Sequence, residues 1–304
     1  MAWEKIKQIF VANKESDWMY SHASNPVLWK FEGGIGRVFF SSRDKNSRSH
    51  IAYVDIDFEN NFEVVKVSKE PVLAPGELGL FDDSGVVMGS FLKVGVTWYL
   101  YYLGWNLKVT VPWLNTVGVA KLNTQSNTFE KLSRAPMMDR SDVDPFSISY
   151  PSVLEDNGVY RMWYGSNLQW GSTQESMQHV IKYAESTDGL RWERTGHIAV
   201  NLEHQNEFAL SKPWVIKEGD IYKMWYSFRG NGLVDTYRIG YAESIDGLNW
   251  IRKDEEVGID VSPTGWDSHM ISYPCVFNWN NRQFMMYNGN HYGKNGFGIA
   301  ERKC

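Results

Sequence analysis

The stretch YAESTDGLRW (Tyr183–Trp192) reappears almost unchanged as YAESIDGLNW (Tyr241–Trp250), and this duplication is the first indication of the fold. Eight of the ten positions agree, and the copies start 58 residues apart (241 − 183 = 58). Each copy places an Asp-Gly pair, which is a strong β-hairpin turn signal, between an aromatic-rich run and a tryptophan. A repeated hairpin indicates a repeat architecture, so the length of the repeat has to be found first.

A shorter phrase sets that length. SYPSVL, which starts at Ser149, has relatives that start at Ser24, Val87, Ser211 and Ser272. In the copy at Val87 a glycine takes the place of the proline. The anchor residues are Pro26, Gly89, Pro151, Pro213 and Pro274, and their spacings are 63, 62, 62 and 61 residues. Five units of nearly constant length therefore account for the chain.

Each anchor is followed by runs with strand character. Aromatic segments such as TWYLYYLGW and IYKMWYSFR come first, and segments such as HVIKYAES and YRIGYAES follow. In two units a fourth strand is predicted to begin at Trp192 and at Trp250. Four antiparallel strands that repeat radially describe a propeller blade.

The two ends of the chain complement each other. The fifth unit stops at GIAERKC without a fourth strand, whereas the N-terminal AWEKIKQIFV resembles the segment at 191–200. The first strand is predicted to complete the last blade and to cover its open edge. The prediction is an all-β chain: a five-bladed β-propeller with four antiparallel strands per blade, forming a single domain over residues 1–304.

Composition narrows the function classes. The chain holds 14 Trp, 16 Tyr and 15 Phe, which suits half-buried sheet faces. A net charge of −5 without a long basic run argues against a nucleic-acid partner. We find no signal-peptide pattern and no apolar run long enough for a membrane span, so we expect a cytoplasmic protein. Cys275 and Cys304 are too few for a disulfide framework, and no metal-ligand spacing is present, so neither a metal nor another cofactor is predicted.

The duplicated phrase itself is interpreted as scaffold. Its tyrosines lie on predicted third strands, and Trp192 and Trp250 are predicted to pack between blades. Its glutamates, Glu185 and Glu243, fall near outer hairpins, so a catalytic role for them is the weaker interpretation.

Function is expected just before each anchor, where the chain would cross one face of the ring. Carboxylates stand there at similar offsets, six or seven residues before the anchor in units two to five and nine before it in unit one: Asp82 and Asp83, Asp144, Glu207, Asp267 and Asp17. A single such residue would indicate only a solvated loop. Carboxylates that converge on an axis would shift one another's pKa values, as acid–base chemistry on a glycosidic bond requires.

Other polar residues are predicted to surround the same mouth. They lie before the anchors or at the ends of second strands, and hairpin-turn chemistry is the alternative explanation for the Asn and Gly residues among them. We expect the following to bind substrate: His22, Arg43, Asp44, Arg48, Trp105, Asn106, Tyr150, Lys212, Arg229, His269, Tyr273, Asn290 and His291, together with Asp17 and Asp82.

The Y-x-M-W-Y second strands, the YAES-x-DGL-x-W hairpins and the x-P-x-V blade openings resemble the five-bladed propeller glycosidase-like superfamily. It includes arabinanases and β-xylosidases, invertases and levansucrases, and β-mannoside phosphorylases. Segments such as PGELGLFDDSGV and YLYYLGWN are similar to bacterial glycosidase-like proteins found with surface-polysaccharide genes. The resemblance implies a carbohydrate substrate. Two acidic positions of the superfamily hold Asn25 and Tyr150 here.

The leading hypothesis is a carbohydrate-active enzyme that cleaves a glycosidic bond at the channel mouth. Asp83 and Glu207 would form the acid/base pair, with Asp144 and Asp267 as orienting partners. Arg43 and Arg48 would suit phosphate or carboxylate, which makes phosphorolysis, or action on an acidic or nucleotide-linked sugar, one alternative. The other is a glycan-binding propeller without catalysis, as Asn25 and Tyr150 suggest.

Overall fold

The computed structural model describes residues 2–14, 16–171, 176–230 and 236–303, so Cys304 lies outside the described ranges. This part of the chain is nearly all β-structure. The exceptions are a 3-10 turn at Asp254–Glu256 and one four-residue α-helix, α1 (Asn290–Gly293). Within the described ranges, no helix has the length and apolar character needed to cross a membrane.

Twenty strands follow one another in five units. Strand β1 spans Ala2–Phe10. Unit one contains β2 (Ser21–Glu32), β3 (Ile35–Arg43), β4 (Ser49–Asp57) and β5 (Glu63–Val67). Unit two contains β6 (Gly85–Val94), β7 (Thr97–Leu107), β8 (Trp113–Asn123) and β9 (Thr128–Lys131). Unit three contains β10 (Ile148–Asp156), β11 (Val159–Gln169), β12 (Gln178–Ser186) and β13 (Ile198–Val200). Unit four contains β14 (Ala209–Glu218), β15 (Ile221–Arg229), β16 (Arg238–Ser244) and β17 (Ile251–Arg252). Unit five contains β18 (Ser272–Trp279), β19 (Arg282–Asn288) and β20 (Phe297–Lys303).

Consecutive strands within each unit pair antiparallel, and β1 pairs antiparallel with β20, so that unit five also has four strands. The first strand of each unit contacts the first strand of the next: β2 contacts β6, β6 contacts β10, β10 contacts β14, β14 contacts β18, and β18 contacts β2. This cyclic order brings the first strands together around one axis, as in a propeller.

A set of hydrogen bonds joins neighbouring units near this axis. In each, a polar side chain of one unit bonds a backbone group in the first strand of the next. Ser41 Oγ accepts from Met88 N (2.9 Å), Ser90 Oγ donates to Pro151 O (2.8 Å), Ser152 Oγ accepts from Val215 N (3.1 Å), Ser227 Oγ accepts from Tyr273 N (2.8 Å), and Asn288 Oδ1 accepts from Asn25 N (2.9 Å). The last bond links unit five to unit one.

The duplicated phrase packs between units. Tyr101 Oη of unit two donates to Gly189 O (2.6 Å), and Trp163 Nε1 of unit three donates to Gly247 O (2.9 Å). Trp192 meets the Tyr101 ring edge-on, with centroids 5.8 Å apart, and Trp250 meets Trp163 in the same way. The phrase is therefore an inter-unit contact, as the sequence predicts.

One boundary prediction was wrong. The fourth strand of unit three starts at Ile198 and not at Trp192, because the segment after the hairpin makes only an isolated bridge between Glu185 and Glu193. In unit four the strand begins at Ile251, directly after Trp250.

The anchors share an unusual backbone. The residue before the anchor proline has a left-handed φ in four units: Asn25 (53°), Tyr150 (46°), Lys212 (50°) and Tyr273 (58°). The strand pairing shifts register at the same places. Such bulges turn a side chain out of the regular alternation of the strand. The side chain before each proline therefore departs from the alternation that the other side chains of the first strand follow.

Gly89 stands where the other units have proline, and close packing explains it. A Cβ on Gly89 would lie 2.2 Å from Tyr101 O and about 3 Å from the ring of Pro151. We expect Gly89→Ala to lower the free energy of unfolding by about 1–3 kcal/mol, as overpacking typically does. Urea denaturation measures this.

Gly165→Ala is the matched control, because a Cβ there meets chiefly the hydroxyl of Ser149, which can rotate away. Equal losses in the two variants would contradict the packing argument.

Candidate active site

Three of the predicted carboxylates are held inside their own units by one scheme. A tyrosine hydroxyl from the second strand of the unit donates to the carboxylate, and a basic side chain forms an ion pair with it. The sets are Asp82 with Tyr102 (3.1 Å) and Lys131 (2.6 Å), Asp144 with Tyr164 (2.9 Å) and Arg194 (3.0 Å), and Asp267 with Tyr287 (3.0 Å) and Lys5 (2.7 Å). All three carboxylates are buried.

Unit four uses a variant of this scheme. The guanidinium of Arg252 donates to both oxygens of the buried Glu207, at 2.7 and 2.8 Å, and to Asp254 at 2.6 Å. Tyr226, on the second strand, donates to Asp254 and not to Glu207. Glu207 also accepts a hydrogen bond from the backbone of Glu203.

None of these carboxylates lines the cavity described below, and their convergence on one mouth stays a prediction. The repeat places them at equivalent positions, but each of Asp144, Glu207, Asp267 and Asp82 is bonded within its own unit. Asp83 lies in a turn, where its oxygens accept from Gly79 N and Ser84 Oγ, both at 2.9 Å. The sequence analysis did not identify the partners of these carboxylates. A tyrosine and a basic residue that are distant in sequence determine where each carboxylate is held.

Several predicted substrate-binding residues serve local structure instead. Asp17 is exposed and pairs with Lys45, while Asp44 bonds the Asn46 and Arg48 backbone and pairs with the Arg48 and His50 side chains. Asn106 donates to Leu80 O. Asn290 accepts hydrogen bonds from the backbone of His269 and Met270. The side chain of His269 is exposed.

A cavity of about 300 Å³ brings together residues from all five units, and α1 contributes Tyr292. Five predicted residues line it: Arg43, Trp105, Tyr150, Arg229 and Tyr273. Residues that the sequence analysis did not select line it as well, chiefly Trp113, Asn115, His179, Tyr237 and Tyr292.

The cavity is cationic and aromatic. Arg43 and Arg229 are its charged lining residues, and no Asp or Glu lines it in the described part of the chain. Burial lowers the pKa of His179 to about 3 and raises the pKa of Tyr150 to about 12, so both side chains are neutral at pH 7. The cavity therefore carries two positive charges and a set of neutral hydrogen-bonding groups.

Arg229 is the most constrained of these groups. It is buried, its guanidinium lies over the rings of Phe208 (5.0 Å) and Tyr237 (4.7 Å), and it donates to Tyr292 Oη (2.8 Å). Within the described ranges, Arg229 Nε and the neighbouring His179 Nε2 are buried without a hydrogen-bond partner. Buried polar groups without partners are costly, and both of these atoms belong to side chains that line the cavity.

Lys212 is fully buried near the axis. Its Nζ donates to Gly89 O (2.8 Å), which crosses from unit four to unit two, and it lies 5.2 Å from the centre of the Trp214 ring. Burial lowers the pKa of Lys212 to about 8, against the opposing effect of Cys275. No carboxylate lies within 4.0 Å of it among the described residues.

A signal for two of the overlooked residues was present in the repeat. His179 and Tyr237 both stand four residues before the tyrosine of the duplicated phrase. This position lies at the start of the third strand: His179 is the second residue of β12, and Tyr237 directly precedes β16. The period therefore predicts cavity-lining residues at two places in each unit. One is the segment before the anchor, and the other is the start of the third strand.

A metal centre is not indicated. In the ranges that the structure describes, no group of three His, Cys, Asp or Glu side chains is arranged to hold an ion.

Comparison with known sequences finds a relative of full length. The chain is 46% identical over 300 residues to the uncharacterized protein Rv1502 of Mycobacterium tuberculosis, covering 99% of both chains. It is also 29% identical over 108 residues, 34% of its length, to a 1,2-beta-oligomannan phosphorylase of a Thermoanaerobacter species, covering 35% of that protein. No protein-family profile matches the chain.

Solved structures share the fold. A glycoside hydrolase superposes with a TM-score of 0.77 at 16% identity, covering 99% of this chain and 93% of the other. A structure from the GH130 family of mannoside phosphorylases, described as containing glycoside hydrolases that target beta-1,2 mannosidic linkages in Candida mannan, gives 0.72 at 14% identity, covering 99% and 94%. At these identities the likeness establishes a propeller glycosidase-like fold.

We expect Asp144→Asn to act mainly on stability. The substitution leaves Lys182 and Arg194 without their buried counter-charge, and breaking such a cluster costs about 3–5 kcal/mol. Urea denaturation measures the loss. Asp17→Asn, at an exposed pair, should change stability by less than about 1 kcal/mol. An unchanged stability for Asp144→Asn, with lost activity, would instead restore its catalytic assignment.

Lys212→Met should change how stability depends on pH. In the wild type, the folded pKa of about 8 lies below the usual Lys value, so the unfolded chain binds the proton more tightly. The contribution of Lys212 to the free energy of unfolding therefore rises between pH 8 and about 10.4. The free energy of unfolding of Lys212→Met should exceed that of the wild type at pH 7, and the difference should shrink towards pH 10. A difference independent of pH would contradict this account.

Proposed function

Because the chain belongs to the family of the mycobacterial protein Rv1502 and has the fold of propeller glycosidases, we propose that it is a carbohydrate-active enzyme whose substrate carries negative charge. The five antiparallel units would form the five blades of a single domain over residues 1–304, with β1 completing the last blade. The substrate would lie in the cavity near the axis.

The absence of carboxylates from the described cavity lining, beside two guanidinium groups, is the observation that carries this proposal. A neutral sugar would leave both charges of a partly buried site unbalanced. A carboxylate or phosphate oxygen would accept from the free Nε of Arg229, and guanidinium groups suit both anions. An acidic sugar therefore fits the cavity better than a neutral one.

The aromatic lining supports a sugar ring as the body of the ligand. Trp105 and Trp113 line one part of the cavity, while Tyr150, Tyr237 and Tyr273 line another. Flat aromatic faces offer apolar surface to the C–H groups of a sugar, and the indole and phenol groups can bond its hydroxyls. A cavity of about 300 Å³ is at the lower end of the usual range for ligand sites.

The chemistry we propose uses a phenol where the superfamily has a carboxylate. Tyr150 occupies the position at which the resemblance implies a glutamate, and its ring lies 5.3 Å from the ring of Tyr273. Burial raises the pKa of Tyr150 to about 12, so the phenol is protonated at pH 7. In the proposed step it would give this proton to the leaving oxygen as the glycosidic C–O bond breaks and an oxygen of the attacking group bonds to the anomeric carbon, and it would regain a proton from that attacking group. The partial match to an oligomannan phosphorylase makes inorganic phosphate a candidate attacking group beside water.

A second candidate function is glycan binding without catalysis. The engagement of Asp144, Glu207 and Asp267 in ion pairs within their units favours it, because no acid/base pair of carboxylates then remains at the cavity. A panel of uronides and neutral glycosides, assayed with and without phosphate, separates the two candidates. Turnover that Tyr150→Phe abolishes supports the enzyme, whereas binding without turnover supports the binding protein.

We expect Arg229→Gln to weaken the binding of glucuronic acid about tenfold or more, because it removes charge-assisted hydrogen bonds to the carboxylate. Isothermal titration calorimetry measures this, with glucose as the neutral comparison.

Arg282→Gln is the control, since Arg282 pairs with Glu301 on the surface, outside the cavity lining. Glucose binding as tight as glucuronic acid binding in the wild type would contradict an anionic substrate.

A further inference from the structure

A second group of basic side chains lies beside the cavity, at the junction of units one and five. His22 is in β2, Arg43 ends β3, His291 is in α1, and Lys294 follows it. Strand pairing places Ser21 opposite Arg43, and α1 contacts β2. We refer to His22, Arg43, His291 and Lys294 as the rim cluster.

The nearest acidic residues in sequence do not balance this charge. Asp17 pairs with Lys45, and Asp44 pairs with Arg48 and His50. Across the described ranges, no carboxylate oxygen lies within 4.0 Å of a rim-cluster nitrogen. Burial and the charges of Arg43, Lys294 and His291 lower the pKa of His22 to about 4. At pH 7 the imidazole of His22 is therefore neutral, and the cluster holds the positive charges of Arg43 and Lys294, which no carboxylate of the described structure balances.

The backbone at the cluster is also strained. His22, His291 and Tyr292 have φ values of 62°, 56° and 58°, in the left-handed region that residues with a Cβ rarely adopt. Such conformations cost free energy, and they concentrate at functional sites. Strain and unbalanced charge coincide here, which favours a ligand site over a surface without function.

The rim cluster is continuous with the cavity. Arg43 and Tyr292 both line the cavity, and Tyr292 accepts the hydrogen bond from Arg229. A ligand held by Arg229 and His179 at the boundary of units three and four could therefore extend towards the rim cluster without leaving the binding site.

We propose that the rim cluster binds a phosphoryl group next to the sugar in the cavity. A phosphoryl group carries up to two negative charges and three terminal acceptor oxygens. The guanidinium of Arg43, the ammonium of Lys294 and the imidazoles beside them suit such a group better than they suit a single carboxylate. The inference rests on the proposed function for the position of the sugar. The phosphoryl group is either free inorganic phosphate or an ester on the sugar itself.

Lys294→Gln tests this inference, because Lys294 is exposed and lies outside the cavity lining. Lys121→Gln, at an exposed lysine of β8, is the matched control. Calorimetry at constant ionic strength would use glucuronic acid, inorganic phosphate and glucuronic acid 1-phosphate as probes. We expect Lys294→Gln to weaken the binding of the phosphoryl-bearing probes about tenfold and to leave the binding of glucuronic acid unchanged.

The probes separate the two sources of the phosphoryl group. Tighter binding of glucuronic acid 1-phosphate than of glucuronic acid, with the gain lost in Lys294→Gln, indicates the ester. Binding of inorganic phosphate that depends on Lys294, without a gain for the ester, indicates free phosphate. Equal affinities of Lys294→Gln and Lys121→Gln for both phosphoryl-bearing probes would overturn the inference.

Failure of the proposed function would look different. If glucuronic acid does not bind while phosphate binding still depends on Lys294, the rim cluster stands and the acidic sugar is wrong. The imidazole NMR signals of His22 give an independent readout. They should shift when phosphate is added to the wild type and shift much less in Lys294→Gln.

Discussion

Closure of the ring is the constraint on which the rest of this structure depends. Each first strand has to fit between two others around one axis, and side-chain hydrogen bonds to the backbone of the next unit join them, from Ser41 to Met88 and finally from Asn288 to Asn25. Close packing between units leaves no room for a Cβ at the Gly89 anchor. The left-handed bulges that precede the prolines turn Tyr150 and Tyr273 towards the cavity. The same geometry that closes the ring therefore positions part of the site.

The repeated carboxylates show how a repeat can mislead about function. Asp144 and Asp267 occupy equivalent positions in their units, which favours a common role, and they do share one. That role is to bind a second-strand tyrosine and a basic residue of the same unit. Buried charges need such partners, so these contacts explain the repeated carboxylates through stability alone. Positive charge is left without a carboxylate partner elsewhere in the described ranges, at Arg229 and at the rim cluster, and this imbalance favours anionic ligands.

The strands were predictable because hydrophobic and aromatic patterns are local, and a constant period of about 62 residues repeats them. Every anchor lies in or next to the bulged part of a first strand, and Trp192 and Trp250 pack between units as predicted. The site was only partly predictable. Arg43, Trp105 and Arg229 stood out because turn chemistry does not explain them. His179 was overlooked because one histidine in an apolar strand looks like core, and only its neighbour Arg229 and its unpaired Nε2 distinguish it.

The β-structure, the repeat and the positions at which units differ could be predicted from the sequence alone, since these follow from residue order and spacing. Only the tertiary structure decided which polar groups find partners. Lys5 meets Asp267, and Lys212 meets the backbone of Gly89, across separations in the chain that no local pattern encodes. Whether a charged side chain serves stability or ligand binding depends on that pairing, because a buried charge with a partner is part of the scaffold and one without a partner is available to a ligand.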